Sequence, residues 1–190
     1  MSLRGHRAAA VSSGQEVRFL VALMGRTHMA FPAHWVRGII TPDEAGSEEL
    51  VRWANASYER TDLASRLGIA ATGGSVETRV VLYGNEQKSR SFTVDEVVEL
   101  VDVERAQIQP LPIQFRRGER DRLLGLFIDV AYVALIANPF WVLELPIRKN
   151  VLDVFALQLS DHRAGGVDPR LQLRSAVLEG AAATSAGPVK

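Results

Sequence analysis

Between Thr78 and Pro112 the chain reads TRVVLYGNEQKSRSFTVDEVVELVDVERAQIQPLP, two apolar runs around a polar turn. Val80 to Tyr83 lead in, Gly84, Asn85, Glu86, Gln87 and Lys88 form the turn, and Phe92 to Val103 follow. Strand-forming residues on either side of a Gly-Asn turn predict a β-hairpin. In the second run Phe92 and Val94 share one parity with Val98 and Leu100, while Val97, Val101 and Val103 take the other. Side chains alternate across a strand, so this pattern asks for burial on both faces. Such a strand belongs in a barrel wall or between layers, not at a solvated surface.

The preceding chain repeats the theme. Val17 to Met24 is a strong strand, apolar at both parities, and Gly25-Arg26-Thr27 turns it into a return strand, His28 to Phe31, that Pro32 stops. A brief corner at Ala33 to Arg37 leads into a strand from Val36 to Thr41. Pro42 to Glu49 reads as a loop. Leu50 to Ala54 and Tyr58 to Thr61 form a short strand pair around Asn55-Ala56-Ser57. Asp62 then caps a helix, Leu63 to Leu67, that Gly68 ends. Ala70 to Ser75 reads as a flexible link between two halves of the fold, with Gly73-Gly74 as its joint. Downstream, Gln114 to Arg122 is expected to be a solvated, mobile loop. Leu123 to Asp129 and Tyr132 to Ala137 are further strands, and Asn138-Pro139 opens a short helix that Pro146 interrupts.

Composition narrows the function. Lys+Arg and Asp+Glu stand at 22 each, so there is no basic field to hold a phosphate backbone, and nucleic acid is not an expected partner. Cysteine is absent, which removes thiol chemistry and fits a reducing cytoplasm. The longest apolar stretch, Leu123 to Leu145, is broken by Asp129, Asn138, Pro139 and Glu144, short of the roughly 20 residues a spanning helix needs. No direct membrane insertion is expected.

Catalytic patterns are equally scarce. His28 and His34 lie near Asp43 and Glu44, but no third histidine or cysteine completes a ligand set, and polar loop or edge histidines are the plain reading. Asp95, Glu96, Glu99, Asp102 and Glu104 crowd one strand without a cleft that would split their acidities, so solvated positions are expected. Gly73-Gly74 lacks the Lys-Ser/Thr of a phosphate loop, and no Ser/His/Asp arrangement is present. No enzyme activity, cofactor or metal is expected.

The order of these segments resembles the CheW-like domain family, which supplies coupling proteins of bacterial chemotaxis arrays. The likeness rests on FLVALMGRTHMAFPAHWVRGII, on Asp62-Leu63 with Leu67-Gly68, on Val94-Asp95-Glu96-Val97, and on the strands around them, over residues 16–145. It implies a mainly β fold of two small SH3-like β-barrel subdomains packed side by side, with short helices and a C-terminal helix. The expected organisation is a disordered lead (1–15), a CheW-like domain (16–145), a C-terminal helix (146–163) and an Ala/Gly-rich, mostly flexible tail (164–190). That helix admits three roles: packing on its own domain, docking a partner, or lying on a membrane.

The resemblance implies a cytoplasmic, non-catalytic adaptor, peripheral to the inner membrane through receptor arrays. Its partners would be a CheA-family histidine kinase and the cytoplasmic tip of a chemoreceptor. The family's Asn-Leu-Arg-Gly motif falls on Arg52, Trp53, Ala54 and Asn55, so Ala54 replaces the arginine and Asn55 the glycine. Glu59 stands where a proline is usual. These departures imply a divergent member. The candidate partner-binding residues are Val36, Arg52, Trp53, Asn55 and Tyr58, with Ile39 a further seam position. Two alternatives stay open: a CheW-like adaptor repurposed for another motility or regulatory complex without classical receptor binding, and a small β-barrel ligand-binding protein or enzyme.

Overall fold

A computed structural model of the protein describes residues 16–70 and 75–147. The expected N-terminal lead, the Gly73-Gly74 joint, the tail, and the expected helix (146–163) apart from Pro146 and Ile147, which are not helical, lie outside the described residues. The chain opens with a hairpin, β1 (Glu16–Met24) and β2 (Thr27–Pro32), turning at Gly25 with φ +60°. A 3-10 turn, Ala33–Trp35, leads to β3 (Val36–Ile40), α1 (Pro42–Ala45), β4 (Leu50–Trp53), β5 (Ala56–Arg60) and α2 (Leu63–Leu67). The hairpin at the centre of the sequence is β6 (Arg79–Gly84) and β7 (Ser89–Val94). Asn85 closes its turn, its side-chain oxygen accepting from the Gln87 and Lys88 amides at 2.9 Å each. β8 (Glu96–Glu104), α3 (Arg117–Arg122), β9 (Leu123–Ile128), β10 (Val133–Ala137) and α4 (Pro139–Val142) complete the order.

Two five-stranded sheets result, ordered β8-β1-β2-β10-β9 and β3-β6-β7-β5-β4. The first gathers strands from both ends of the fold, and the second is built wholly from its middle. One apolar core joins them: Phe19, Phe31 and Phe127 from the first sheet pack in the same cluster as Val81, Tyr83 and Phe92 from the second. The opposite face of the second sheet closes on a smaller core of Ile40, Ala45, Val51, Tyr58, Val80 and Leu82. Edge strands β3 and β4 both feed that core, so this sheet curls into a half-barrel. Val80 and Leu82 therefore face the small core while Val81 and Tyr83 face the shared one, which is why all four positions of β6 are apolar.

Several local expectations hold. Asp62 accepts from the Ser65 amide at 3.0 Å and Gly68 ends α2 at φ +76°. Asn138 caps α4, accepting from the Phe140 amide at 3.1 Å. Others are corrected. Pro42 to Glu49 is not all loop: Thr41 and Glu44 form a capping box over α1, with Pro42 at its first position. Gln114 to Arg122 is not a mobile loop, because Arg117–Arg122 is helical and the Glu119 carboxylate accepts from the Arg116 amide at 2.6 Å. The β4–β5 turn falls on Ala54 and Asn55, both with positive φ, rather than on Asn55 to Ser57. β5 and β6, which flank the Gly73-Gly74 segment in sequence, belong to one sheet.

The apolar run Phe92 to Val103 is likewise two strands in two sheets. Asp95 breaks it: its amide donates to the Leu23 carbonyl at 2.9 Å, and its carboxylate accepts from the Gly25 amide at 2.6 Å. Both bonds tie the crossover to the β1–β2 turn. β8 then runs along the open edge of the first sheet, half-buried instead of enclosed on both faces.

Candidate functional site

Val36 and Tyr58 are each 4% exposed; Val36 belongs to the shared core and Tyr58 to the small one. Ile39, beside Val36 on β3, is half-buried against the shared core. Arg52, Trp53 and Asn55 lie on the β4–β5 hairpin, where Arg52 pairs in register with Ser57 and Trp53 with Ala56. Arg52 and Asn55 are exposed and Trp53 is half-buried. The Trp53 ring rests on the β3 backbone at Gly38, so close that a β-carbon there would sit 3.1 Å from its Cη2. The ring thus spans from β4 to β3 across the concave face of the half-barrel. Asn55 takes φ +63°, the left-handed conformation its motif position calls for, and Ala54 takes φ +47°. Two successive positive φ values suit a two-residue hairpin of type I′, at a steric cost for Ala54 of about 1–2 kcal/mol.

The structure gathers the candidates into two places. The β4–β5 tip presents Arg52, Asn55 and one edge of Trp53, while Val36 and Tyr58 support the sheet from within. A second surface lies along β8. Val97, Val98, Leu100 and Val101 pack on the shared core, yet each stays half-exposed at the sheet edge. An edge strand normally carries charge or cover, and β8 alternates apolar residues with Glu96, Glu99 and Asp102. Asp102 forms a bidentate pair with Arg18 of β1, Oδ1 to Nε at 2.7 Å. Glu99 accepts from the Tyr132 hydroxyl, and the Tyr132 ring stacks on His28 at 4.7 Å. Asp102 and Glu99 are thus held in separate contacts, to Arg18 and to Tyr132, and do not converge on a cleft.

The histidines part company. Neither is a loop or edge histidine: His28 is half-buried on the inner strand β2 beside Tyr132, and His34 lies in the 3-10 turn. Both ring nitrogens of His34 are buried without partners, next to Trp35. Burial, with Arg37 nearby, holds its pKa down to about 3. Among the described residues no three His, Cys, Asp or Glu side chains are grouped to hold a metal.

A further cluster was not foreseen from the sequence. Glu144, at φ +53° just past α4, lies within ion-pair distance of Arg66, Lys88 and Arg90, three residues from separate elements. Arg66 and Arg122 lie over the Trp141 ring, 4.5 and 5.5 Å from its centroid. The charged stretches carried no sign that they would meet.

The family model described as the CheW-like domain matches residues 18–144. Among solved structures, the scaffolding protein TtCheW from Thermoanaerobacter tengcongensis is similar, with a TM-score of 0.56, 14% identity, and coverage of 72% of this chain and 90% of that one. No curated protein matches. The matched span contains both sheets and both candidate surfaces.

Proposed function

The chain belongs to the CheW-like domain family, and from that membership we propose that it is a non-catalytic scaffold of a chemotaxis-type signalling array. It couples chemoreceptors to a CheA-family histidine kinase and works in the cytoplasm at receptor arrays. The observation that carries the reading is the β8 edge, where Val97, Val98, Leu100 and Val101 hold the shared core on one side and stay half-exposed on the other. A partner that covers this strip adds apolar burial without rearranging the core, which suits a protein whose task is to hold others in a fixed geometry.

The β4–β5 tip is the second proposed contact, through Arg52, Trp53 and Asn55. Ala54 in the arginine position of the family motif favours a narrower version, in which the kinase is bound and a classical receptor is not.

The test is a pulldown of the full chain with a CheA-family kinase and with a receptor cytoplasmic fragment, alongside Val97→Asp and Trp53→Ala. Val97 follows the crossover at Asp95, where the two sheets meet. Placing a carboxylate there is expected to weaken at least one partner by about tenfold or more, beyond the loss of folded protein that the melting temperature reports, since Val97 also packs on the shared core. Kinase binding alone selects the narrower version. Binding to neither, with a small metabolite raising the melting temperature instead, would overturn the adaptor reading.

A further inference from the structure

The corner where α2, the β6–β7 turn, β7 and the exit of α4 meet has an uneven charge structure. Arg90 is 5% exposed, anchored by its NH1 on Thr61 Oγ1 at 3.0 Å, and its Nε is buried without a partner. Arg66 is fixed by hydrogen bonds to the Trp141 and Val142 carbonyls at 3.3 and 3.4 Å and by stacking on the Trp141 ring. Lys88 completes the group from the hairpin turn. Arg90 and Arg66 are held in place and Lys88 is half-buried, with side-chain exposures of 6%, 27% and 32% for Arg90, Arg66 and Lys88. Their carboxylates are more open to water: Glu144 is 49% and Glu59 is 59% exposed. Glu144 reaches Arg90 at 2.6 Å, Arg66 at 3.4 Å and Lys88 at 3.5 Å from a backbone conformation that a glutamate seldom adopts. Desolvation lowers the Arg66 pKa, opposed by the Glu144 carboxylate, with Arg90 and Arg122 adding to the lowering.

We infer that Arg66, Lys88 and Arg90 form a docking socket for an acidic segment of a partner protein, with Glu144 as the internal carboxylate that the partner displaces. A built cationic wall closed by an exposed carboxylate is what competition requires. The incoming carboxylate keeps the ion pairs, while the Glu144 carboxylate returns to water. The chain as a whole is neutral, 22 cations against 22 carboxylates, so an acidic segment would be drawn by this local cluster and not by net charge.

The socket is tested by fluorescence anisotropy with a fluorescein-labelled hexaglutamate peptide and the full chain at low salt. Glu144→Gln keeps the side-chain shape and removes the competing charge, and it is expected to tighten binding by roughly fivefold, the ceiling for an exposed ion pair. Arg66→Gln in that background is expected to abolish the gain. Lys88→Gln is expected to halve it at least, and because Lys88 sits on an exposed turn it serves if Arg66→Gln unfolds the protein. Binding should vanish near about 0.5 M salt, and a hexalysine peptide should not bind.

Equal affinity for parent and Glu144→Gln, or a gain that survives both cation substitutions, would overturn the proposal. So would tightening only on removal of residues 148–190, which assigns the socket to the chain's own tail, or full competition by inorganic phosphate, which assigns it to a small anion. The readout uses neither kinase nor receptor, so its failure leaves the adaptor reading standing.

Discussion

Replacing His34 by leucine and following urea unfolding from about pH 8 to about pH 5 isolates one buried imidazole as a source of acid sensitivity. The pKa of His34 falls from 6.5 to about 3 in the folded protein, through burial and the nearby Arg37. Between those values the unfolded chain binds a proton that the folded chain refuses, so stability is full above the unfolded pKa and drains as pH falls through it. The loss at pH 5 is set by the 1.5 units below 6.5, about 2 kcal/mol at ~1.4 kcal/mol per unit. It does not depend on the folded value so long as that value lies below about 4. Glu44 and Glu144 have lowered pKa values, Glu44 through hydrogen bonds from Thr41 and Glu144 through Arg90, Arg66 and Lys88 against opposing desolvation. Their contributions are present above the ordinary carboxylate pKa of 4.5 and are lost below it, outside the window. The parent should therefore lose about 2 kcal/mol between the two pH values and His34→Leu should lose little, the variant being no less stable than the parent at the upper pH because the ring nitrogens have no partners to forfeit. A parent that loses less than about 0.5 kcal/mol, or a variant that loses as much as the parent, would refute the assignment.

Two further outcomes follow from the packing. Tyr83 is fully buried with its hydroxyl unpartnered and its pKa pushed far up by desolvation, so Tyr83→Phe is expected to raise the unfolding free energy by about 1 kcal/mol, read as a higher urea midpoint at unchanged slope. A clear loss instead would mean the hydroxyl is satisfied. Gly25→Ala places a β-carbon 2.6 Å from the Ala70 carbonyl oxygen at φ +60°, and opening that turn also pulls the Gly25 amide from Asp95. The expected cost is about 2–4 kcal/mol by thermal or urea unfolding, and a variant as stable as the parent would show the β1–β2 turn to be compliant.

What could be read along the chain was whatever neighbours in sequence decide. The Asn85 turn, the Asp62 and Asn138 caps, the Gly68 stop and the strand at Val17 to Met24 each follow from backbone groups satisfied within a few residues, so their signals are local. The Thr41–Glu44 capping box and the α3 start at Arg116–Glu119 are local too; loop-like composition masked them. Sheet membership is different. Continuous apolarity in Phe92 to Val103 could not show that Asp95 hands the chain from one sheet to the other, because its partners Leu23 and Gly25 lie some 70 residues away. For the same reason periodicity told that β8 is apolar on both sides but not that it sits at an open edge, where those residues hold a core and face outward at once. The meeting of Arg66, Lys88, Arg90 and Glu144 is likewise a product of packing between elements distant in the chain, since charge along a sequence carries no record of which charges will share a corner.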